Sequence, residues 1–193
     1  MPQENGQTSS RAALLIMDMQ VRVLGTEANT TDLTREVANA AASARAVNIP
    51  VIYVVVGFRP NHREISSRNK VFSAIARDKA SFIASDAGAE IHGGVGWLAS
   101  DTTVTKRRVS AFSGSDLEVV LRSMEIQDLV LSGVATSGVV LSTVREAADK
   151  DYRLTVLSDC CRDPDEEVHR LLMTKVFPRQ AEVLTGRAWS QAL

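Results

Sequence analysis

Two residues of opposite charge follow apolar runs in this sequence and are candidates for proton transfer. Asp18 ends the run LLIMD, and Lys106 ends the run TTVTK. A carboxyl group at the end of a buried strand has its pKa set by its surroundings, so it can donate or accept a proton. An ammonium group beside it can hold it charged and alter its protonation during a reaction. Two structural alternatives stay open: Asp18 can cap a neighbouring loop, and Lys106, which precedes Arg107 and Arg108, can be a surface lysine.

A cluster of small residues follows another apolar run and is a candidate for ligand binding. In the segment GVATSGVV, Gly133, Ala135, Ser137 and Gly138 would let a ligand approach the backbone closely. If a helix starts here, its free N–H groups can stabilise a carboxylate or a developing oxyanion. The alternative is an ordinary turn between a strand and a helix, in which small residues serve packing.

Alternating strands and helices must position these groups. Apolar runs predict five strands, near residues 12–18, 51–56, 102–107, 129–131 and 154–157. Amphipathic segments predict helices near 30–48, 113–124, 138–150 and 163–177. The residues between the second and third strands, with a helical patch near 71–76, are expected to form an irregular lid or insertion.

Strands alternating with helices predict a parallel sheet covered by helices on both faces, a three-layer α/β/α fold. Ligands of such sheets bind beyond the carboxyl ends of the strands, where Asp18, Arg59 and Lys106 are expected to converge. Residues 11–193 are predicted to form a single domain, preceded by a flexible arm at residues 1–10.

Composition excludes several classes of partner. The 22 Lys and Arg nearly cancel the 23 Asp and Glu, so no basic field for nucleic acid or anionic lipid is expected. The longest apolar run, IPVIYVVVGF, is about half of the roughly 20 residues that a membrane span requires. Cys160 and Cys161 are adjacent and cannot join distant segments, and no charged, apolar leader precedes the first strand. A small-molecule substrate and a cytoplasmic location are the expectation.

Several motifs, taken in order, are similar to those of isochorismatase-like hydrolases. These are LLIMDMQ, the segment from TKRRVSAFSGSD through LVLSGVATSGVV, and RLTVLSDCC, and the resemblance spans about Arg11 to Thr185. The family also contains nicotinamidases and N-carbamoyl amidases. It implies a three-layer α/β/α fold and a catalytic Asp, Lys and Cys, of which Asp18 and Lys106 match the first two. It further implies a cis peptide bond between Val134 and Ala135, and a homo-oligomer, a dimer or tetramer.

The chain departs from this family at the nucleophile. Val139 stands where the family pattern G-V-A-T-D-x-C-V has its cysteine, and valine cannot form a thioester. Cys160 and Cys161 correspond to a segment that does not supply the nucleophile, and they are interpreted as small buried residues.

The metal pattern of the amidases is also missing. Gly57 and Arg59 stand near where ligands would be, and His62, His92 and His169 lack ligand spacing. No metal and no cofactor are expected.

The resemblance therefore implies a hydrolase of a small carboxylate-bearing metabolite that works without a cysteine nucleophile. Asp18 would be the general acid or base, and Lys106 would set its protonation. The alternative is a catalytically inactive relative with a role in small-molecule binding or regulation. Serine hydrolysis through Ser137 is disfavoured because the sequence does not indicate a histidine that would act as its base. Substrate or oxyanion contacts are expected from Gln20, Arg59, Phe112, Ala135, Ser137 and Gly138.

Overall fold

One six-stranded parallel sheet forms the centre of the protein in a computed structural model that describes residues 11–25 and 30–193. The strands are β1 (Ala12–Met17), β2 (Val51–Val56), β3 (Thr102–Lys106), β4 (Asp128–Val134), β5 (Arg153–Arg162) and β6 (Glu182–Leu184). Their order in the sheet is β3-β2-β1-β4-β5-β6, and every neighbouring pair is parallel. The predicted parallel α/β fold is confirmed. The arm expected at residues 1–10 lies outside the described residues.

Helices cover both faces of the sheet. They are α1 (Val21–Leu24), α2 (Thr30–Ala46), α3 (Lys70–Ile75), α4 (Leu117–Ser123), α5 (Leu141–Asp149), α6 (Glu166–Leu171) and α7 (Gly186–Gln191). No helix in the described part of the chain is long and apolar enough to cross a bilayer.

Strand β1 shows why both faces need cover. Ala13, Leu15 and Met17 belong to a hydrophobic cluster with residues of α4 and α5. Leu14 and Ile16 point the other way, into a cluster with α2 and α7. Because successive side chains of a strand face opposite sides, an uninterrupted apolar run requires helices on each side.

The structure corrects four boundaries. Strand β4, expected over residues 129–131, spans Asp128–Val134. Strand β5 continues beyond residue 157 to Arg162, because its register with β4 shifts between Leu131 and Gly133 and pairing resumes at Cys161 and Arg162. The helix expected from residue 138 begins with a π-helical turn, Thr136–Val140, before α5. The long helix expected over 163–177 is α6 followed by a second π-helical turn, Leu172–Val176. Strand β6 and helix α7 were not predicted.

Candidate active site

The carboxyl ends of β1 and β4 form the point where the sheet changes direction. From β1 the chain adds β2 and then β3 on one side, and β4 returns to pair with β1 on the other side. In open α/β sheets a crevice for ligands opens at such a switch point. Asp18 directly follows β1, and Val134 ends β4 at the same edge.

Asp18 and Lys106 meet at this edge as a buried ion pair. Lys106 Nζ lies 2.9 Å from Asp18 Oδ2, although β2 separates their strands. Lys106 is 2% exposed and Asp18 is 8% exposed. Asp18 has a φ of 56°, a left-handed conformation that aspartate tolerates better than most residues. The two residues singled out as a catalytic pair are therefore in direct contact.

The Lys106 ammonium group has no hydrogen-bonding capacity left. Besides the contact with Asp18, its Nζ donates to the carbonyl oxygens of Arg108 at 2.9 Å and Val109 at 3.0 Å. An ammonium group has three donors, so these three acceptors use all of them. Lys106 is therefore a fixed charge held by the loop that follows its own strand, and not a surface lysine.

Asp18 keeps one oxygen without a partner. Its Oδ1 is buried and has no hydrogen bond to any described residue. Burial raises the pKa of Asp18 from 3.8 to about 6, while the charge of Lys106 and its hydrogen bond act in the opposite direction. A carboxyl group with a pKa near neutrality and one free oxygen can give or take a proton at that oxygen.

The segment after β4 approaches this pair. The peptide bond between Val134 and Ala135 is cis. Val139 is 2% exposed and packs in the same hydrophobic cluster as Met17, which precedes Asp18, and Val104 of β3. Val139, which the resemblance predicts to stand at the family's nucleophile position, is thus a core residue.

The backbone groups expected to bind an oxyanion are already used. The N–H of Ser137 donates to Asp163 Oδ2 at 2.6 Å, and the N–H of Gly138 donates to the carbonyl of Ala135 at 3.1 Å. The side chain of Ser137 is exposed, and among the described residues no histidine, aspartate or glutamate side chain is shown in contact with its hydroxyl group. The N–H groups of Ser137 and Gly138 therefore support the shape of the turn, whereas the contact expected from Ala135 stays a prediction.

Gln20 also has a structural role instead of the substrate contact expected from the sequence. It is fully buried, and its Nε2 donates to the carbonyls of Val56 at 3.0 Å and Ala89 at 2.7 Å. Its Oε1 accepts from the N–H of Val56 at 2.9 Å. These bonds tie the end of β2 to the segment after β1, and they leave the amide no freedom to bind a ligand.

Arg59 and Phe112, the two remaining residues expected to contact the substrate, make contacts with other side chains of the protein. Arg59 is exposed, and its guanidinium pairs with Glu64 at 3.4 Å. Phe112 is buried, stacks on Tyr152 with a ring separation of 6.0 Å, and carries Lys150 Nζ 5.5 Å from its ring centre. Arg59 thus lies at the surface beside Glu64, whereas Phe112 is held in the core.

Both cysteines are buried thiols. Cys160 and Cys161 lie inside β5 and not beyond its end, and they face opposite hydrophobic clusters. Burial raises the pKa of Cys161 to about 12 and raises that of Cys160 further. Neither thiol is set up to form a thiolate nucleophile.

The histidines near the loops make local contacts. His62 is buried with its Nε2 2.7 Å from the carbonyl of Ser81, and His92 Nδ1 accepts from the N–H of Gly94. Among residues 11–25 and 30–193, no group of three or more His, Cys, Asp or Glu side chains is arranged to hold a metal ion.

A second polar cluster lies on the β5 side of the cis peptide and was missed in the sequence. Thr136 Oγ1 is 2.8 Å from His169 Nδ1, and Asp163 holds the N–H of Ser137. A cavity of 840 Å³ opens beside this cluster, with Val134, Arg162 and His169 in its wall. Neither Asp18 nor Lys106 lines that cavity. Thr136 and His169 are 33 positions apart, so no local spacing in the sequence marks the pair.

Comparison with known proteins agrees with this fold. The chain is 28% identical over 174 residues to an uncharacterised isochorismatase family protein of Escherichia coli O157:H7, covering 89% of this chain and 90% of that protein. It is 28% identical over 179 residues to a ureidoacrylate amidohydrolase of Pseudomonas syringae pv. syringae (strain B728a), covering 80% and 72% of the two chains. The solved structure of an isochorismatase family protein from Burkholderia thailandensis superposes with a TM-score of 0.80 at 28% identity, over 95% of each chain.

The family model for the isochorismatase domain matches residues 12–188, nearly the whole described sheet with its helices. The chain therefore belongs to the isochorismatase family of hydrolases, and its relatives include an amidohydrolase.

Proposed function

We propose that this chain hydrolyses a small carboxylate-bearing metabolite without a cysteine nucleophile, with Asp18 as the general acid. The observation that carries the proposal is the buried contact between Asp18 Oδ2 and Lys106 Nζ, with Asp18 Oδ1 left unpartnered. A buried pair of this kind is expensive to form, because both charges lose their hydration. Because this desolvation costs free energy, the buried pair is better explained by a role in function than by a role in stability.

A vinyl ether illustrates how the pair would work. Asp18 Oδ1 would transfer its proton to the terminal carbon of the double bond, which leaves an oxocarbenium ion. Water adds to that cation and returns a proton to Asp18, and the resulting hemiketal separates into a ketone and an alcohol. Lys106 stabilises the carboxylate that forms when Asp18 has given up its proton, so no covalent bond to the protein is needed.

Amide hydrolysis is the other reaction class that the family supports. The ureidoacrylate for which one relative is named is a small carboxylate with a bond of amide type. In that reaction a deprotonated Asp18 would accept a proton from the attacking water. The two reactions require opposite protonation states of Asp18, so the direction of the pH dependence distinguishes them.

A binding protein without turnover is the second candidate function. It is favoured by the burial of the site, because Lys106 is only 2% exposed. Val139, at the position expected for the nucleophile, is also only 2% exposed. Binding alone, however, gives no reason to bury a carboxyl group with an unpartnered oxygen.

The test is a screen of the purified full chain against isochorismate, ureidoacrylate, N-carbamoyl compounds and small amides. Product formation and thermal stabilisation would be measured on the same samples. Turnover that Asp18→Asn abolishes supports the hydrolase. Thermal stabilisation without product, unchanged in Asp18→Asn, supports the binding protein.

A further inference from the structure

The pair formed by Thr136 and His169 determines which ring nitrogen of the histidine carries a proton. Thr136 is fully buried, and its hydroxyl has no hydrogen-bond partner among the described residues other than His169 Nδ1. If Nδ1 carried the proton, it would donate to Thr136 Oγ1, and the buried hydroxyl proton would have no acceptor. Since an unsatisfied buried donor is costly, the hydroxyl donates to Nδ1.

The other ring nitrogen is then a donor. A neutral imidazole carries one proton, so an accepting Nδ1 places that proton on Nε2. His169 is half-buried, and burial lowers its pKa, an effect that Asp163 opposes in part. Among the described residues, the hydrogen bond shown for this ring is made at Nδ1. The ring lines the cavity and Nδ1 is engaged by Thr136, so Nε2 is the nitrogen available to a ligand there.

The remaining wall of the cavity carries charges of both signs. Arg22 and Arg162 lie in it together with Asp163 and Glu166. Arg22 pairs with Asp86, and the two oxygens of Asp163 accept from the N–H groups of Ser137 and Asp165. The feature of the wall that points to an oxygen acceptor is therefore the N–H donor at His169 Nε2.

We propose that this cavity is a carboxylate-binding subsite, in which His169 Nε2–H donates to an oxygen of a small carboxylate and Thr136 fixes the tautomer that makes it a donor. Val134 lines the cavity and forms the cis peptide, and because β1 and β4 pair Met17 with Gly133, Val134 follows at the same sheet edge as Asp18. The subsite therefore adjoins the candidate active site. The inference rests on the proposed function only for the choice of a carboxylate as ligand. The donor character of Nε2 follows from the contacts of Thr136.

The experiment uses nitrogen-15 NMR of the histidine rings in the full chain, which contains only three histidines. The resonance lost in His169→Asn identifies His169. We expect its neutral form to carry the proton on Nε2 and its resonances to shift on titration with pyruvate, but not with the neutral probe pyruvamide. A proton on Nδ1, or no response to pyruvate, would overturn the proposal.

Matched variants separate binding from support of the fold. The amide nitrogen of glutamine reaches the position of Nε2, whereas the amide of asparagine reaches only that of Nδ1. We expect pyruvate affinity to fall about tenfold or more in both His169→Ala and His169→Asn, the usual worth of a hydrogen bond to a charged group, and to recover partly in His169→Gln. Recovery in His169→Asn but not in His169→Gln, with equal melting temperatures, would show that the residue only supports Thr136.

The two proposals can fail separately. A response of His169 to pyruvate in a protein without turnover would retain the subsite and remove the hydrolase. Turnover that depends on Asp18, with no pyruvate response at His169, would retain the hydrolase and remove the subsite.

Discussion

Lys106 Nζ lies 2.9 Å from Asp18 Oδ2 and also donates hydrogen bonds to two backbone carbonyls. The second oxygen of Asp18, Oδ1, has no hydrogen-bond partner among the described residues. The two members of the pair are therefore unequal. Lys106 is held in place by three acceptors, and Asp18 is the member that can change its protonation.

Replacing Lys106 by methionine should destabilise the protein strongly. Lys106→Met leaves the Asp18 carboxyl and the carbonyls of Arg108 and Val109 buried without their donor. Breaking a buried pair from one side costs about 3–5 kcal/mol in the free energy of unfolding. Urea unfolding measures this loss, and Lys79→Met, at an exposed lysine, is the matched control. The double variant Asp18→Asn, Lys106→Met should lose less than the sum of the single losses; additive losses would contradict the coupling.

The free energy of unfolding should depend on pH because Asp18 titrates. The pKa of this carboxyl is 3.8 without the fold and about 6 within it, so the folded state binds the proton more tightly. The stability due to that proton is fully present below about pH 4 and is lost as the pH rises through about 6. Relative to Asp18→Asn, the free energy of unfolding of the wild type should fall by roughly 3 kcal/mol across this range. Urea unfolding of both proteins at several pH values measures the difference, and a rise with pH would contradict the pKa shift.

Gln20 should matter to stability and not to ligand affinity. Gln20→Leu removes three hydrogen bonds and leaves the N–H and C=O of Val56 and the C=O of Ala89 unsatisfied. We expect a loss of about 2–4 kcal/mol in the free energy of unfolding. Gln191→Leu, at an exposed position, should lose almost nothing. A normal stability with weakened ligand binding would restore the substrate contact expected from the sequence.

The cysteines should be inert while the protein is folded. Cys160 and Cys161 are 0% and 5% exposed, and burial raises the pKa of both thiols. Iodoacetamide should therefore leave any hydrolysis intact, and both thiols should react with Ellman's reagent only after denaturation. Rapid labelling of either thiol in the native protein, with loss of activity that substrate prevents, would assign the chemistry to a cysteine.

The sequence predicts elements that form from long apolar runs and fails where contacts are distant. The sequence predicts strand β2 because it is a continuous apolar run, and helix α2 because its buried apolar residues repeat with the period of a helix. The apolar run of β5 is broken by Ser158 and Asp159, and its pairing with β4 resumes only at Cys161 and Arg162. Strand β6 has only three residues.

The same limit applies to the candidate site. Asp18 and Lys106 could be proposed as partners because parallel strands bring their carboxyl ends to one edge of the sheet. The contacts of Gln20 with Val56 and of Thr136 with His169 span 36 and 33 positions, respectively, and depend on how the loops fold over that edge. No periodicity encodes such contacts, so the cluster at His169 emerges only from the structure.

The pH dependence of turnover should show whether Asp18 donates or accepts a proton. As a general acid it must be protonated, so kcat/KM should fall as the pH rises through about 6, the pKa of Asp18. The profile of the screened substrate measures this limb, and it should vanish in Asp18→Asn. A rise through the same pH would instead make Asp18 a general base and favour amide hydrolysis.

The most direct measurement is the turnover number of Asp18→Asn on the substrate that the screen identifies. Asparagine keeps the shape of the side chain and its contact distance to Lys106, but it cannot transfer the proton. The account predicts that kcat falls by roughly 10²- to 10⁴-fold while KM changes little, the usual effect of removing a positioned acid or base. Asp149→Asn, at an exposed aspartate, should keep the wild-type rate. An Asp18→Asn enzyme that turns over its substrate at the wild-type rate would contradict the account and remove Asp18 from the mechanism.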